Sequence, residues 1–476
     1  MDIKKIISLL LAAVIACASF CACSGGSEGG GTVAEETSDA EIDTSPVEIQ
    51  TNQLSDVVSI DLDLIPPTPA EEFTYVLSNG EVTVTAYVGE RSDVCVPAQI
   101  ENAPVTAIGD GAFADLESLR SLILPESITD MGEGILRGCD ALCALQTPLL
   151  GEDAVGEQFL GYLFGAEAFR DNPRDVPASL QFLRLCGEVD TLSAYALYDC
   201  NDLLAVDLGG GIKTLQKFSL YRCTALGLIL GLEAVTNIEE NALMQCSSLV
   251  SVELGDALLS IGCGAFEGCS GLSFMRLPFV GGSRTENTYL AYIFGASTPD
   301  FARGYYPKKL AKIELSPSCT SLGDYAFFAC EGLKEITLGD ALESIGVRAF
   351  YGCISLWSIA LPDSLKTIRE SAFFGCDSLL FVDFGTGLQA MGINAFYQCD
   401  SLTSVTLPKS LKALPASAFA GCLSLTSVDL GGVLEVGAQA FRHCDAITSA
   451  RAQENLFLSD GNASLWNALY GQGSEN

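Results

Sequence analysis

Ala349-Phe350-Tyr351-Gly352-Cys353-Ile354-Ser355-Leu356-Trp357-Ser358-Ile359-Ala360-Leu361-Pro362, followed by Leu365 and Ile368, is one copy of a text that recurs through this chain. The next copy opens at Ala372-Phe373 and continues through Cys376, Leu379, Val382 and Phe384. Another runs from Ala418-Phe419 through Cys422, Leu425, Val428 and Leu430. Cysteines mark the period. They stand at 200, 223, 246 and 269, then at 330, 353, 376, 399 and 422, each run stepping by 23 residues. Cys139 precedes the first run, and Cys444 follows the second after 22 residues. Self-similarity at a period of this length marks a solenoid. Within a copy, Ile359 and Leu361 alternate with Ser358 and Ala360, the period of two that turns one strand face inward. Pro or Gly then ends the strand and turns the chain. One coil cannot cover its own apolar face, so coils stack and their strands run parallel. Strand centres from Ile123 to Arg451 predict fourteen coils, a ladder on the order of 65 Å long at about 4.8 Å per strand.

This pattern resembles the BspA-like leucine-rich repeats of bacterial surface proteins, whose ladder position holds cysteine or asparagine. The resemblance spans roughly residues 108 to 450. It implies an α/β-type repeat solenoid, a leucine-rich repeat with short parallel β-strands, and a non-catalytic, adhesin-like surface module. Phe73-Thr74-Tyr75 to Gly80, Val82-Thr83-Val84-Thr85, Tyr87 and Gly89 are similar to that family's N-terminal β-cap. The first coils depart from the pattern: Asp115 stands where cysteine is expected, and Ile135-Leu136 replaces Ala-Phe before Cys139. The expected division is a signal over 1–22, an acidic disordered linker over 23–72 and a β-cap over 73–107. The solenoid follows over 108–452, with inserts near 148–177 and 278–307, and a C-terminal cap or tail over 453–476.

The N-terminus carries its own reading. Lys4 and Lys5 precede an apolar run from Ile6 to Ala16, shorter than the roughly 20 residues a membrane-spanning helix needs, so it reads as a cleaved signal. Ala22-Cys23-Ser24-Gly25-Gly26 resembles the bacterial lipobox, which makes Cys23 the expected lipid anchor. Cys17, after Val14-Ile15-Ala16, is the rival site, and Phe20 departs from the usual Leu. From Ser24 to about Glu72 the chain holds Gly, Ser, Thr, Pro and acid without Lys or Arg. Such a stretch is expected to stay disordered as a spacer. The implied location is the extracellular face of a bacterial membrane, touched only through the N-terminal lipid.

A longer period lies over the short one. Cys139 to Cys200 and Cys269 to Cys330 are both 61 residues, and their extra text matches at an offset of 130. Pro148 matches Pro278, Leu160 matches Leu290, Tyr162 matches Tyr292, and Phe164-Gly165-Ala166 matches Phe294-Gly295-Ala296. Leu160, Leu163 and Phe164 sit at helical spacing, as do Leu290, Ile293 and Phe294, so each insert is expected to hold a short helix. These apolar residues either cap a discontinuity in the core or build a binding loop that presents Tyr162, Tyr289, Tyr292, Tyr305 and Tyr306. Capping is the preferred reading.

Composition narrows the chemistry. The 476 residues include 60 acidic and 25 basic side chains and one histidine, a formal charge of -35. Nucleic-acid binding, which relies on Lys and Arg at phosphates, is not expected. His443 beside Cys444 lacks an orienting group and reads as a solvated turn residue, so no catalytic site, metal or cofactor is predicted. The ladder cysteines project in parallel from successive coils, a geometry that disfavours disulfides. They are expected to be buried, reduced thiols that donate to the turn of a neighbouring coil. Cys95, Cys143, Cys186, Cys263 and Cys319 lie off the ladder, and their pairing stays open.

What remains is surface. Two outward columns run down the strand face. One holds Phe182, Phe274, Lys312, Glu335, Ser358, Phe381 and Ser404. The other holds Arg184, Asp207, Glu253, Arg276, Glu314, Asp383 and Asp429. Exposed aromatics among charges on a rigid sheet suit a protein or glycoprotein ligand. Phe182, Arg184, Phe274, Arg276, Phe381 and Asp383 are the candidate contacts. A ligand-free envelope spacer is the alternative.

Overall fold

The computed structural model describes residues 62–154 and 158–471. The signal segment, Cys17, Cys23 and the linker through residue 61 lie outside the described residues. Every coil has three sides, and each follows from the repeated text. The strand side is short: Ser358–Ala360 pairs parallel with Phe381–Asp383, with Ile359 facing Val382. The central residues Ile359, Val382 and Val405 are buried while their neighbours face outward. A second ladder of two-residue strands turns the chain back, with Thr367–Ile368 between Ser344–Ile345 and Ala390–Met391. The Ala-Phe-x-x-Cys segment closes the third side. Its phenylalanines stack along the axis, Phe350 to Phe373 at 4.9 Å and Phe373 to Phe396 at 4.8 Å, with planes within 5°.

This third side needs an unusual backbone. The residue before Ala-Phe and the residue before Cys are both left-handed: Ser371 at φ 53° and Gly375 at φ 67°, then Asn394 at φ 55° and Gln398 at φ 57°. A left-handed non-glycine residue costs about 1–2 kcal/mol. Burial of the phenylalanine between the two bends offsets that cost, together with bonds to the next coil. Phe373 donates to the Ala395 carbonyl at 2.7 Å and Gly375 to that of Tyr397 at 2.8 Å. His443, exposed at φ 61°, occupies the second bend of its coil and is a turn residue.

The ends are closed differently. Phe73–Ser78 and Glu81–Tyr87 form an antiparallel hairpin through Asn79 and Gly80, both at positive φ, the requirement of a tight hairpin turn. Tyr87 lays its ring 6.2 Å from Phe113 of the first coil and so joins the cap to the solenoid core. The ladder begins one rung earlier than the sequence count. Asp93–Cys95, inside the cap, pairs parallel with Ser121–Ile123. At the far end, Asn462 accepts from the Phe441 amide at 3.1 Å and donates to the Gly437 and Ser459 carbonyls. The helix Ala463–Tyr470 then seals the last coil with buried Leu465.

Each insert is an enlarged coil of the same stack. Ala144–Thr147 pairs directly with Phe182–Leu185, and Phe274–Leu277 with Lys312–Leu315. Short 3-10 helices, Leu160–Phe164 and Leu290–Phe294, take the place of the Ala-Phe segment. Asn172 ties the first insert to the next coil: fully buried, it accepts from the Gly161 amide at 2.9 Å and donates to the Tyr198 carbonyl at 3.2 Å. In the second insert the equivalent pair is Ala291 and Ala302, both buried. A Cβ on Gly161 would meet the Asn172 amide oxygen, so the glycine and the asparagine go together.

The acidic segment needs one correction. Disorder was expected through Glu72, yet residues 62–72 pack against the solenoid. Leu62 and Thr68 are buried, and Ala70–Glu72 is a 3-10 turn leading into the hairpin. Composition argues against burial of such a stretch only when no apolar surface is offered to it. Here the strand face supplies one.

Candidate functional site

The strand face carries the two columns in the register read from the repeat. Phe182 lies beside Ala205, Phe274 between Ser251 and Lys312, and Phe381 beside Ser358. Their exposures diverge. Phe381 is 54% exposed, whereas Phe182 is 9% and Phe274 5% exposed. The expectation of three open aromatics is therefore corrected at two. Phe182 is covered by Leu62, in a cluster with Ile123, Ala144 and Ala205. The covering residue comes from 120 positions upstream, beyond the reach of repeat arithmetic.

The charges on this face pair with one another along the axis. Arg184 holds Asp207 at 3.1 Å and Asp63 at 2.8 Å, and its guanidinium sits 5.7 Å from the Phe182 ring. Arg276 bridges Glu253 at 3.0 Å and Glu314 at 2.9 Å. Lys312 lies 3.4 Å from Glu314. Asp383 has a structural duty, since its carboxylate accepts from the Gly385 amide at 3.1 Å. Asp207 and Asp429 do the same for Gly209 and Gly431, which fixes the turn after the strand.

The insert tyrosines are mostly spent inside the fold. Tyr162 donates its hydroxyl to the Met131 carbonyl, Tyr289 to that of Ala296 and Tyr306 to that of Phe328. Tyr292 packs edge-on against Tyr289 at 6.0 Å. Tyr305, 42% exposed, is the insert tyrosine that faces solvent. The binding-loop reading thus loses Tyr162, Tyr289, Tyr292 and Tyr306 as free contacts. Capping of the core accounts for them.

Sequence reasoning passed over a second aromatic row. Phe328, Tyr351, Phe374 and Tyr397 stack at 5.1, 4.7 and 4.8 Å on the Ala-Phe side, half-buried. Its signal was available, because each of these residues directly follows Ala-Phe. The facing ring surfaces cover one another, which leaves ring edges to solvent within the row.

Among the described residues all cysteines are free, and no group of three or more His, Cys, Asp or Glu could hold a metal ion. No described helix is long and apolar enough to cross a membrane. A cleft of about 60 Å³ between Asn172, Pro177 and Asn201 has room for water rather than a substrate. The ladder thiols donate as expected: Cys353 to the Phe327 carbonyl, Cys376 to Phe350 and Cys399 to Phe373, each at 3.2 Å.

The comparison with protein families decides the repeat's identity. The BspA type leucine rich repeat region, in six copies, matches residues 98–152, 177–280, 302–426 and 378–463. The chain belongs to the BspA-type leucine-rich repeat family. Solved structures similar to this BspA-type chain include a leucine-rich repeat protein from Bacteroides ovatus, at 20% identity and a TM-score of 0.33. It covers 83% of this chain and 99% of its own. A leucine rich cell surface protein from Faecalibacterium prausnitzii is 18% identical with a TM-score of 0.25, covering 86% and 98%. The pneumococcal vaccine antigen PcpA is 15% identical with a TM-score of 0.28, covering 85% and 96%. No curated protein matches the chain.

Proposed function

We propose that this BspA-type chain is a non-catalytic surface lipoprotein whose strand face binds a protein or glycoprotein. The observation that carries the reading is Phe381, exposed on a rigid stack and flanked by the small residues Ser358 and Ser404. A large ring with small polar neighbours is open to desolvation by a partner, and such buried aromatic anchors dominate binding energies. The test is a binding array of the folded chain against matrix proteins, mucin and bacterial cells. Phe381→Ala is expected to weaken a saturable interaction more than about 5-fold, or ~1 kcal/mol. Phe182→Ala and Phe274→Ala perturb the packing of the face and do not test recognition. A folded Phe381→Ala variant with unchanged affinity would remove the strand face from the proposal.

The pairing of the face's own charges favours a second reading. Arg276 between Glu253 and Glu314 is already satisfied within the stack, as a spacer without a ligand would have it. Silence across the whole array supports that reading. Either role needs an anchor, and Cys23 is proposed for it. Cys23→Ser is expected to release the protein to the medium or leave the precursor unprocessed. A mature terminus at Cys17, or one without lipid by intact mass, contradicts the assignment.

A further inference from the structure

The nest that buries Leu62 is built into the rungs. In the column of Phe182, Ala144, Ala205 and Leu228 are apolar where later rungs carry Ser358, Ser404 and Ser427, and Ile123 adds an apolar residue in the column of Arg184. A solvated sheet face has no need of such a cluster. Alanines on either side of the Phe182 ring leave a hollow, and Leu62, 2% exposed, fills it. Ile65, Cys95 and Leu228 pack around the rim. The following residue adds charge recognition. Asp63 reaches Arg184, a side chain only 13% exposed, whose other flank holds Asp207. Thr68 then closes the segment on the edge strand, donating its amide to the Cys95 carbonyl at 2.8 Å and accepting from the Cys95 amide at 3.0 Å.

We propose that this nest is a docking site for an apolar–acidic segment, occupied in cis by Leu62–Asp63, so that residues 62–68 are a latch over one end of the strand face. The regulatory meaning rests on the strand face being the recognition surface; the docking itself does not. One buried leucine shifts an equilibrium about 10- to 100-fold. A contact of that size holds the latch closed at rest and yields to a competing chain. An external competitor needs the same chemistry, a branched apolar residue followed by a carboxylate.

Cys95 is the built-in reporter, since its thiol borders the nest and is free. The experiment labels the full chain with a thiol reagent, reads Cys95 by peptide mapping, and compares the wild type with the double substitution Leu62→Asp and Asp63→Lys. Cys95 is expected to label about 10- to 100-fold faster in the variant, with the main melting transition unchanged. A synthetic peptide of residues 60–69 is expected to restore protection in a saturable way. An unchanged Cys95 rate, or a peptide that gives no protection, overturns the proposal. If the double variant does not fold, Arg184→Gln, which removes the charge partner and leaves the hollow, is read the same way: no acceleration at Cys95 is fatal. A silent ligand array would remove the proposed function and leave this result standing, because the probe here is the chain's own peptide.

Discussion

Replacing Phe373 by alanine is expected to destabilise the solenoid by about 3–5 kcal/mol, the range for removing a fully buried aromatic ring. Phe373 has no exposure and lies between Phe350 and Phe396 in a nearly parallel column. The ring is held by bends on both sides, Ser371 and Gly375, that leave the backbone little room to collapse into the void. In a stack whose stability is a sum of coils and nearest-neighbour interfaces, a central ring serves two interfaces and a terminal one serves one. Phe441, whose stacking neighbour in this column is Phe419 at 5.5 Å, is therefore expected to cost less on truncation than Phe373. Urea unfolding monitored by circular dichroism gives both numbers. Equal losses at the two positions, or a loss at Phe373 below about 1 kcal/mol, would contradict a column stabilised by its neighbours.

The interior of this molecule was readable because the 23-residue period fixes register. Once Ile359 is set inward, Val382 and Val405 follow, and once Cys353 is a ladder thiol its acceptor lies in a neighbouring coil. Both relations hold in the structure. The surface was less readable for a physical reason. Exposure of an outward residue depends on whatever else lands on it, and that is not periodic. Phe182 is expected to be open because its column points outward from the strand face. Leu62 covers it from a segment whose acidic composition predicts disorder. The alternation Ile60-Asp61-Leu62-Asp63-Leu64 was the available signal. The insert tyrosines misled as binding candidates for the same reason. Tyr162 and Tyr306 find carbonyls in other coils, through contacts that no spacing in their own segment announces, and Tyr289 finds one within its own insert.

The ladder thiols are expected to be silent to thiol reagents when the protein is folded, and to make it labile in alkali. Burial pushes the thiols of Cys223, Cys269 and Cys330 up to about 12, and Cys139 up to about 11. Burial, with the neighbouring rung's cysteine adding to it, raises Cys353 and Cys376 well above the ordinary thiol value near 9. At pH 8 a thiol moved from about 9 to about 12 has roughly a thousandfold less of the reactive thiolate. Cys143 and Cys263, which are partly exposed, are expected to label first, and the ladder only after denaturant is added. The pH dependence follows from the same shift. Below about pH 9 both folded and unfolded thiols keep their protons, and the stability is intact. Between about 9 and 12 the unfolded chain loses protons that the folded chain retains, so stability falls as pH rises, by about 1.4 kcal/mol per pH unit for each such thiol. Several thiols acting together make that slope steep. The urea midpoint is expected to hold to about pH 9 and to drop sharply above it, already clearly by pH 10, with the ladder thiols becoming reactive in the same interval. A midpoint that holds through pH 10, or a mapped disulfide between Cys353 and Cys376, would show that these side chains are not the protonated donors on which the stack is built.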